Sequence, residues 1–176
     1  MPRISAPSLA EHQERQRARV IEVALELLAE SGVEALTPAR VAERAGLSRS
    51  SLYQYVSSSA ELVALGATLA YDKRGATLGR ATTLAEWRDR LLGFCRTPAG
   101  RAVLALERAS VPDECRREVE RWREEQRVLP VHHFTERGSS SPTGAARLFE
   151  TLVEGAGYRF SADRARRLLE EMLSVE

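Results

Sequence analysis

The 176-residue chain predicts an all-α protein in which a three-helix amino-terminal module is joined to a larger helical unit. Three observations carry that expectation. Apolar residues recur at helical spacing along most of the chain, and no stretch alternates apolar with polar as a half-buried strand would. Two phrases of the S/T-x-x-E type, Ser58-Ser59-Ala60-Glu61 and Thr83-Leu84-Ala85-Glu86, mark helix starts; in each, hydroxyl and carboxylate satisfy amides that the helix leaves free. Residues 37–56 place two short helical patterns around a tight turn at Ala45-Gly46-Leu47.

Taken in order, residues 1–10 read as a flexible arm. A helix is expected from Glu11 to Ser31, with Val20, Ala24, Leu27 and Leu28 on one side. Gly32 is its C-cap, and Val33 is available to pack on the last turn. Glu22, Glu26, Glu30 and Glu34 recur every four residues as a solvated stripe. Thr37 can accept from free amides of the next helix, where Pro38 needs no amide partner. Val41, Ala42 and Ala45 form the apolar side of that helix, and Gly46 supplies the positive φ that ends it. Ser48 caps a following helix whose Leu52 and Val56, four apart, face inward. Arg49, Ser50, Tyr53 and Gln54 are left on the outer face, where short polar groups suit a DNA groove. This is a helix-turn-helix pattern.

Beyond it, a helix from Ser59 to about Tyr71 is followed by one carrying Trp87, Leu91 and Cys95, and by a short one from Thr97-Pro98. A longer helix starts near Pro112, with Asp113 and Glu114 at its positive end and Val119 and Trp122 on its buried side. Its arginines, Arg116 and Arg117 among them, alternate with glutamates as on a solvated face. Residues 137–144 are a loop by composition, and the last helices run from Ala145 to about Ala156 and from Ser161 to Val175.

Composition excludes several classes. No apolar run approaches the roughly 20 residues needed to cross a membrane. The start MPRISAPSLAEHQ lacks a signal peptide's apolar core, so a cytoplasmic protein without membrane partners is expected. Cys95 and Cys115 make neither a metal motif nor a disulfide framework; Cys95 reads as an inert core thiol. The three histidines, His12, His132 and His133, join no catalytic or metal-ligand constellation, so no enzyme, cofactor or metal is expected. The net charge of +1 gives no global attraction for phosphate, and the first 60 residues hold seven arginines against seven glutamates. Distribution is more informative than the sum: from Arg44 to Ala60 there are two arginines and no acid, and Arg15, Arg17 and Arg19 cluster upstream.

Helix 1, the phrase LTPARVAERAGLSRSSLYQYV and the following SSSAEL resemble the amino-terminal domain of TetR-type transcriptional regulators over roughly residues 15–66. The resemblance implies a DNA-binding helix-turn-helix domain at 11–58 and a helical ligand-binding and dimerisation domain at 59–176. It assigns Thr37 and Tyr53 to phosphate contacts, which fix register without reading sequence. Arg49, Ser50, Ser51 and Gln54 occupy positions that approach base edges, with Arg49 suited to guanine and Gln54 to adenine. Tyr55 is assigned to backbone or a thymine methyl, and Arg40 to the flanking backbone. Many members carry a Gly-Thr or Pro-Thr pair where this chain has Ser50-Ser51, and a phosphate-binding lysine where it has Ser59; without that lysine a shallower salt dependence is expected. Ser48 reads equally as a cap or a DNA contact, and Tyr53 can alternatively pack between helices.

The final helices present two apolar stripes, Leu148, Phe149, Leu152, Val153 and Ala156, and Ala165, Leu168, Leu169, Met172 and Leu173. Paired across a two-fold axis they would form a four-helix bundle; burial in a monomer's own core is the competing use. A dimer implies an approximately palindromic operator. Repression by occupancy of the operator by the apo dimer is expected, with a small molecule releasing it by favouring another conformer; the apolar character of its candidate residues suggests a hydrophobic or aromatic effector. The candidate effector residues are Leu69, Trp87, Leu91, Phe94, Leu104, Trp122 and Phe149, with core packing the competing role for Trp87, Phe94 and Trp122. A ligand-dependent activator, or a helical dimer that binds protein partners without DNA, remains open.

Overall fold

The computed structural model describes the backbone of residues 6–111 and 113–173, with side chains at all of these except 6–9, 114, 162, 172 and 173. Its helices are α1 (Ala6–Ser31), α2 (Pro38–Ala45), α3 (Arg49–Leu52), α4 (Ser59–Leu78), α5 (Leu84–Phe94), α6 (Pro98–Arg108), α7 (Asp113–Gln126), α8 (Val128–Glu136), α9 (Pro142–Arg159) and α10 (Ala162–Leu173), with a 3-10 turn at Val33–Ala35. No strand occurs among the described residues. The chain divides into two compact units, Met1–Ala70 with Ala102–Ser110, and Tyr71–Arg101 with Val111–Glu176.

In the first unit α1 buries Val20, Ala24, Leu27 and Leu28, the stripe that its sequence spacing predicts, and Val23 and Leu25 besides. It packs on the 3-10 turn and on α2, which packs on α3. Gly66 of α4 sits against α1, where an added Cβ would lie 2.7 Å from Leu28 Cδ1. The start of α4 is tied by a reciprocal cap. Ser58 Oγ accepts from the Glu61 amide at 3.1 Å. The Glu61 carboxylate accepts from the amide and hydroxyl of Ser57 at 2.6 and 2.7 Å. The carboxylate thus reaches the residue before the cap. These bonds, the backbone one first, hold Glu61 below the usual carboxylate range.

Several helix limits differ from those read in the sequence, each for a local reason. Residues 6–10, expected as part of a loose arm, are the first turns of α1; Pro7 is tolerated there because a first-turn amide has no helical partner. Glu34 lies in the 3-10 turn, outside α1. α4 runs on to Leu78. The long helix expected from residue 112 is broken at Arg127 (φ −90°, ψ 4°), because in a continuous helix the Pro130 ring would collide with the carbonyl of Gln126. Pro142 opens α9, so the expected 137–144 loop ends at Ser141.

In the second unit α9 packs against α5, α8 and α10. Phe149 lies 6.0 Å from Trp87 and 6.1 Å from Phe134, ring to ring, and Tyr71 stacks on Trp122 at 5.4 Å. Val153, Ala165, Leu169, Leu91, Leu92 and Cys95 complete the buried layer. Gly157 brings α9 onto α5: a Cβ there would stand 3.0 Å from Cys95 Cβ. Burial pushes the Cys95 thiol up to about 12, so it has little thiolate to react with.

Charge is buried in the same layer. Arg74 is fully enclosed; it donates to Gln126 Oε1 at 2.6 Å, to Glu154 at 3.2 Å and to Glu150. Arg123 donates to Glu154 at 2.6 Å, and Arg127 to Glu150. Burial works against the charge on Arg123, but Glu154 and Glu150 outweigh it and hold its pKa above the usual value. The expectation of a uniformly solvated arginine face on this segment is corrected here: Arg123 and Arg127 point inward because Glu150 and Glu154 stand there to receive them. The dimer stripes are partly redirected as well. Phe149, Val153 and Leu169 are buried within one chain by the helices around α9, whereas Leu148 is 62 % exposed and Leu152 and Leu168 are half-buried. The Met172 and Leu173 side chains lie outside the described residues.

Candidate nucleic-acid interface

The interface is built from local bonds upward. Thr37, extended at φ −102° and ψ 147°, caps α2 by accepting from the Arg40 amide at 3.3 Å, and Pro38 follows in the first helical turn. Val41 and Ala42 are buried, which fixes the rotation of α2. Gly46, at φ 70° and ψ 31°, takes the left-handed conformation that ends it. The Leu47 amide donates to the Ala42 carbonyl at 2.8 Å, closing the Schellman-type turn.

Ser48 then caps α3, accepting from the Ser51 amide at 3.0 Å. Its hydroxyl also lies 2.9 Å from that of Ser50 and 2.8 Å from that of Ser51. Three hydroxyls that the sequence offers to DNA are therefore bonded first to one another. Leu52 and Val56 are buried beneath, as their spacing predicts. Arg49, Ser50, Tyr53 and Gln54 are exposed; Ser51 and Tyr55 are half-buried. Tyr53, at 55 % exposure, does not pack between helices. Regular α3 spans only Arg49–Leu52, and Tyr53 to Tyr55 continue as tight turns. Thr37, Arg40 and Ser59 are also exposed.

Of the arginines expected on this face, Arg44 is already engaged. Its guanidinium grips both oxygens of Glu30 at 2.7 and 2.6 Å, with Glu26 at 3.6 Å. The Glu30 hydrogen bonds hold its pKa above the usual value. The glutamate stripe of α1 is therefore, at Glu26 and Glu30, a clamp on α2.

Residues 20–64 match the family model described as bacterial regulatory proteins, tetR family. The chain carries a TetR-family amino-terminal domain. A solved structure is similar in fold over most of the chain: a proposed transcriptional regulator from Pseudomonas aeruginosa PAO1 superposes with a TM-score of 0.74 at 19 % identity, covering 92 % of this chain and 89 % of that one. A proposed TetR-family regulator from Rhodococcus sp. gives 0.72 at 21 %, covering 92 % and 98 %. A proposed transcriptional regulator from Saccharomonospora viridis, in complex with choline, gives 0.71 at 16 %, covering 93 % and 97 %. At these identities the likeness establishes the TetR-type fold. No curated protein matches the chain.

The candidate effector residues are placed less uniformly. Leu69 and Leu104 belong to the first unit and are half-buried. Trp87, Leu91, Phe94, Trp122 and Phe149 belong to the second. Leu91, Phe94 and Phe149 are core, and Trp122 is half-buried against Tyr71. Trp87 is core as well, at 1 % exposure, and sits behind a cavity of about 450 Å³ whose wall includes Leu78, Glu125, Gln126, Val128 and Leu129. Sequence reasoning missed that cavity and the buried charges beside it. One signal was available: Glu150 and Glu154 fall at the same helical spacing as Ala146, Phe149, Val153 and Gly157, inside the apolar stripe. No group of three or more His, Cys, Asp or Glu suited to a metal occurs among the described residues, and no helix is long and apolar enough to cross a membrane.

Proposed function

We propose that this protein is a sequence-specific DNA-binding transcriptional regulator, a repressor that acts as a homodimer on an approximately palindromic operator and is released by a small-molecule effector. The observation that carries the reading is the division of residues 48–56. Leu52 and Val56 are buried, while Arg49, Ser50, Tyr53 and Gln54 face solvent behind a capped start. A short helix held this way offers a bidentate donor for guanine, an amide for adenine and a phenol for phosphate. Leu148, a large apolar side chain left 62 % exposed on α9, supports the dimer. The effector reading is supported by the cavity at Trp87, whose volume falls within the usual range for small-molecule sites.

The test is binding of the purified protein to DNA from upstream of its own gene, beside the Arg49→Ala, Tyr53→Ala double variant. Sequence-specific binding that the variant loses bears the reading out. Failure to bind across salt concentrations and genomic fragments favours a helical partner-binding protein instead.

A further inference from the structure

α1 is longer than the core it serves. Its buried stripe ends at Val20, yet the helix starts at Ala6. The leading turns overhang, and from residue 10 to residue 19 every side chain is exposed except Gln16, which is half-buried. Steps of three or four residues back from Val20 lead to Arg17, Gln16 and Gln13. The overhang thus turns a cation and two amides toward the side that, one turn later, packs on the domain. Arg15 stands on the opposite side, and Arg19 lies 3.8 Å from Glu26. Arg17 has neither a hydrogen bond nor an ion pair among the described residues.

We propose that Arg17 is a backbone-phosphate contact at the edge of the helix-turn-helix, supplied by α1 to an edge that has no cation of its own. The inference rests on the DNA-binding reading above and extends that interface to a helix outside residues 37–59.

The start of α4 is what lies beside Arg17. Gly66 seats α4 on α1: a Cβ there would stand 2.7 Å from Leu28 Cδ1 and 3.6 Å from Ala24 Cβ. Toward the starts of both helices from that crossing come Arg17, seven residues before Ala24, and Glu61, five before Gly66. The Glu61 carboxyl is held below its usual range first by the Ser57 amide and hydroxyl, and at longer range by the positive charge of Arg17 as well. Ser57, Ser58 and Ser59 are exposed there, a few residues past Tyr53 and Gln54 on the outer face. From Ser50 to Asp72 the chain holds neither arginine nor lysine. A recognition helix in the major groove has phosphate strands along its sides, so this edge of hydroxyls meets anionic oxygens. Arg17 is the unpaired positive side chain that α1 brings to it.

The test measures binding of the full chain to two duplexes over a series of salt concentrations. One is the fragment upstream of its own gene, the other a scrambled duplex of equal length. Arg17→Gln is expected to flatten the dependence of log affinity on log salt by about 1. It should weaken both duplexes by the same factor, since a phosphate contact reads no sequence. Arg17→Lys should keep the parent slope, because lysine also binds phosphate as a point charge. Arg15→Gln, the same loss of charge two residues away, should leave the slope unchanged. The slope is a readout that a role confined to holding Glu61 would not move. A parent-like slope in Arg17→Gln, or equal flattening in Arg17→Gln and Arg15→Gln, overturns the proposal. Equal affinity for the two duplexes, with the Arg17→Gln effect present, bears the contact out and counts against the sequence-specific reading alone. Binding to neither duplex overturns both.

Discussion

The Ser48 hydroxyl, which the sequence offers equally to a helix cap and to DNA, is a cap in the structure. It caps α3 through the Ser51 amide and is bonded to the neighbouring serine hydroxyls. Ser48→Ala is expected to cost about 1 kcal/mol of stability in urea unfolding, as loss of an N-cap does. Arg49→Ala, on an exposed side chain, is expected to stay within about 0.5 kcal/mol of the parent while weakening operator binding. The arginines separate in the same manner. Arg40→Ala should flatten the dependence of log affinity on log salt by about 1, the loss of one phosphate contact. Arg49→Ala should instead relax specificity at one base pair, at a cost of about 1–3 kcal/mol. Arg44→Ala should leave the salt slope unchanged, since Arg44 is held by Glu30 and Glu26. A slope that falls as much for Arg44→Ala as for Arg40→Ala would show that Arg44 leaves its clamp on DNA.

Among the helices, α4 and α5 share one starting device and α4, α7 and α9 share one set of buried charges. At the start of α5, Glu86 accepts from the amide and hydroxyl of Thr82, both at 2.9 Å, while Thr83 accepts from the Glu86 amide at 3.2 Å. Glu61 and Glu86 are both held below the ordinary carboxylate value of 4.5, each first by a backbone hydrogen bond. A carboxyl whose folded pKa is depressed stabilises the fold above its unfolded pKa and ceases to do so as pH falls through the folded value. Stability should therefore decline as pH is lowered from 4.5 downward, and Glu61→Gln with Glu86→Gln should flatten that decline in pH-dependent unfolding. The buried charges act on a larger scale. Arg74→Met leaves Glu150 and Glu154 enclosed with fewer cations, and removing one partner of a buried pair costs about 3–5 kcal/mol. Arg74→Met combined with Glu150→Gln should recover part of that loss in chemical denaturation. No recovery would mean that shape, rather than charge, sets the cost.

For the whole molecule, the proposed dimer draws on the apolar surface of the last helices. Phe149, Val153 and Leu169 are used inside one chain, so the proposed contact falls to Leu148, Leu152 and Leu168. Leu148→Glu is expected to shift the protein from dimer to monomer in light scattering coupled to size exclusion, with the helical content unchanged. Operator affinity should fall with it, because a two-fold protein gains from two half-sites only when paired. A monomeric parent protein would sink the palindromic-operator reading while leaving the helix-turn-helix intact.

What the sequence determined by itself is what neighbours along the chain decide. Thr37-Pro38, Gly46, Ser48 and the two S/T-x-x-E starts act through bonds spanning three or four residues, so their caps and turns were legible as text. The buried pair Leu52 and Val56 was legible for the same reason, since four residues make one helical turn. The exposure of Tyr53 was decided by tertiary packing, as was the capture of Arg44 by glutamates of α1. So too were the enclosure of Arg74, Arg123 and Arg127 around Glu150 and Glu154, and the hollow beside Trp87. A glutamate reads as solvated until a helix far along the chain brings it an arginine, because the cost of burying a charge depends on its partner in space.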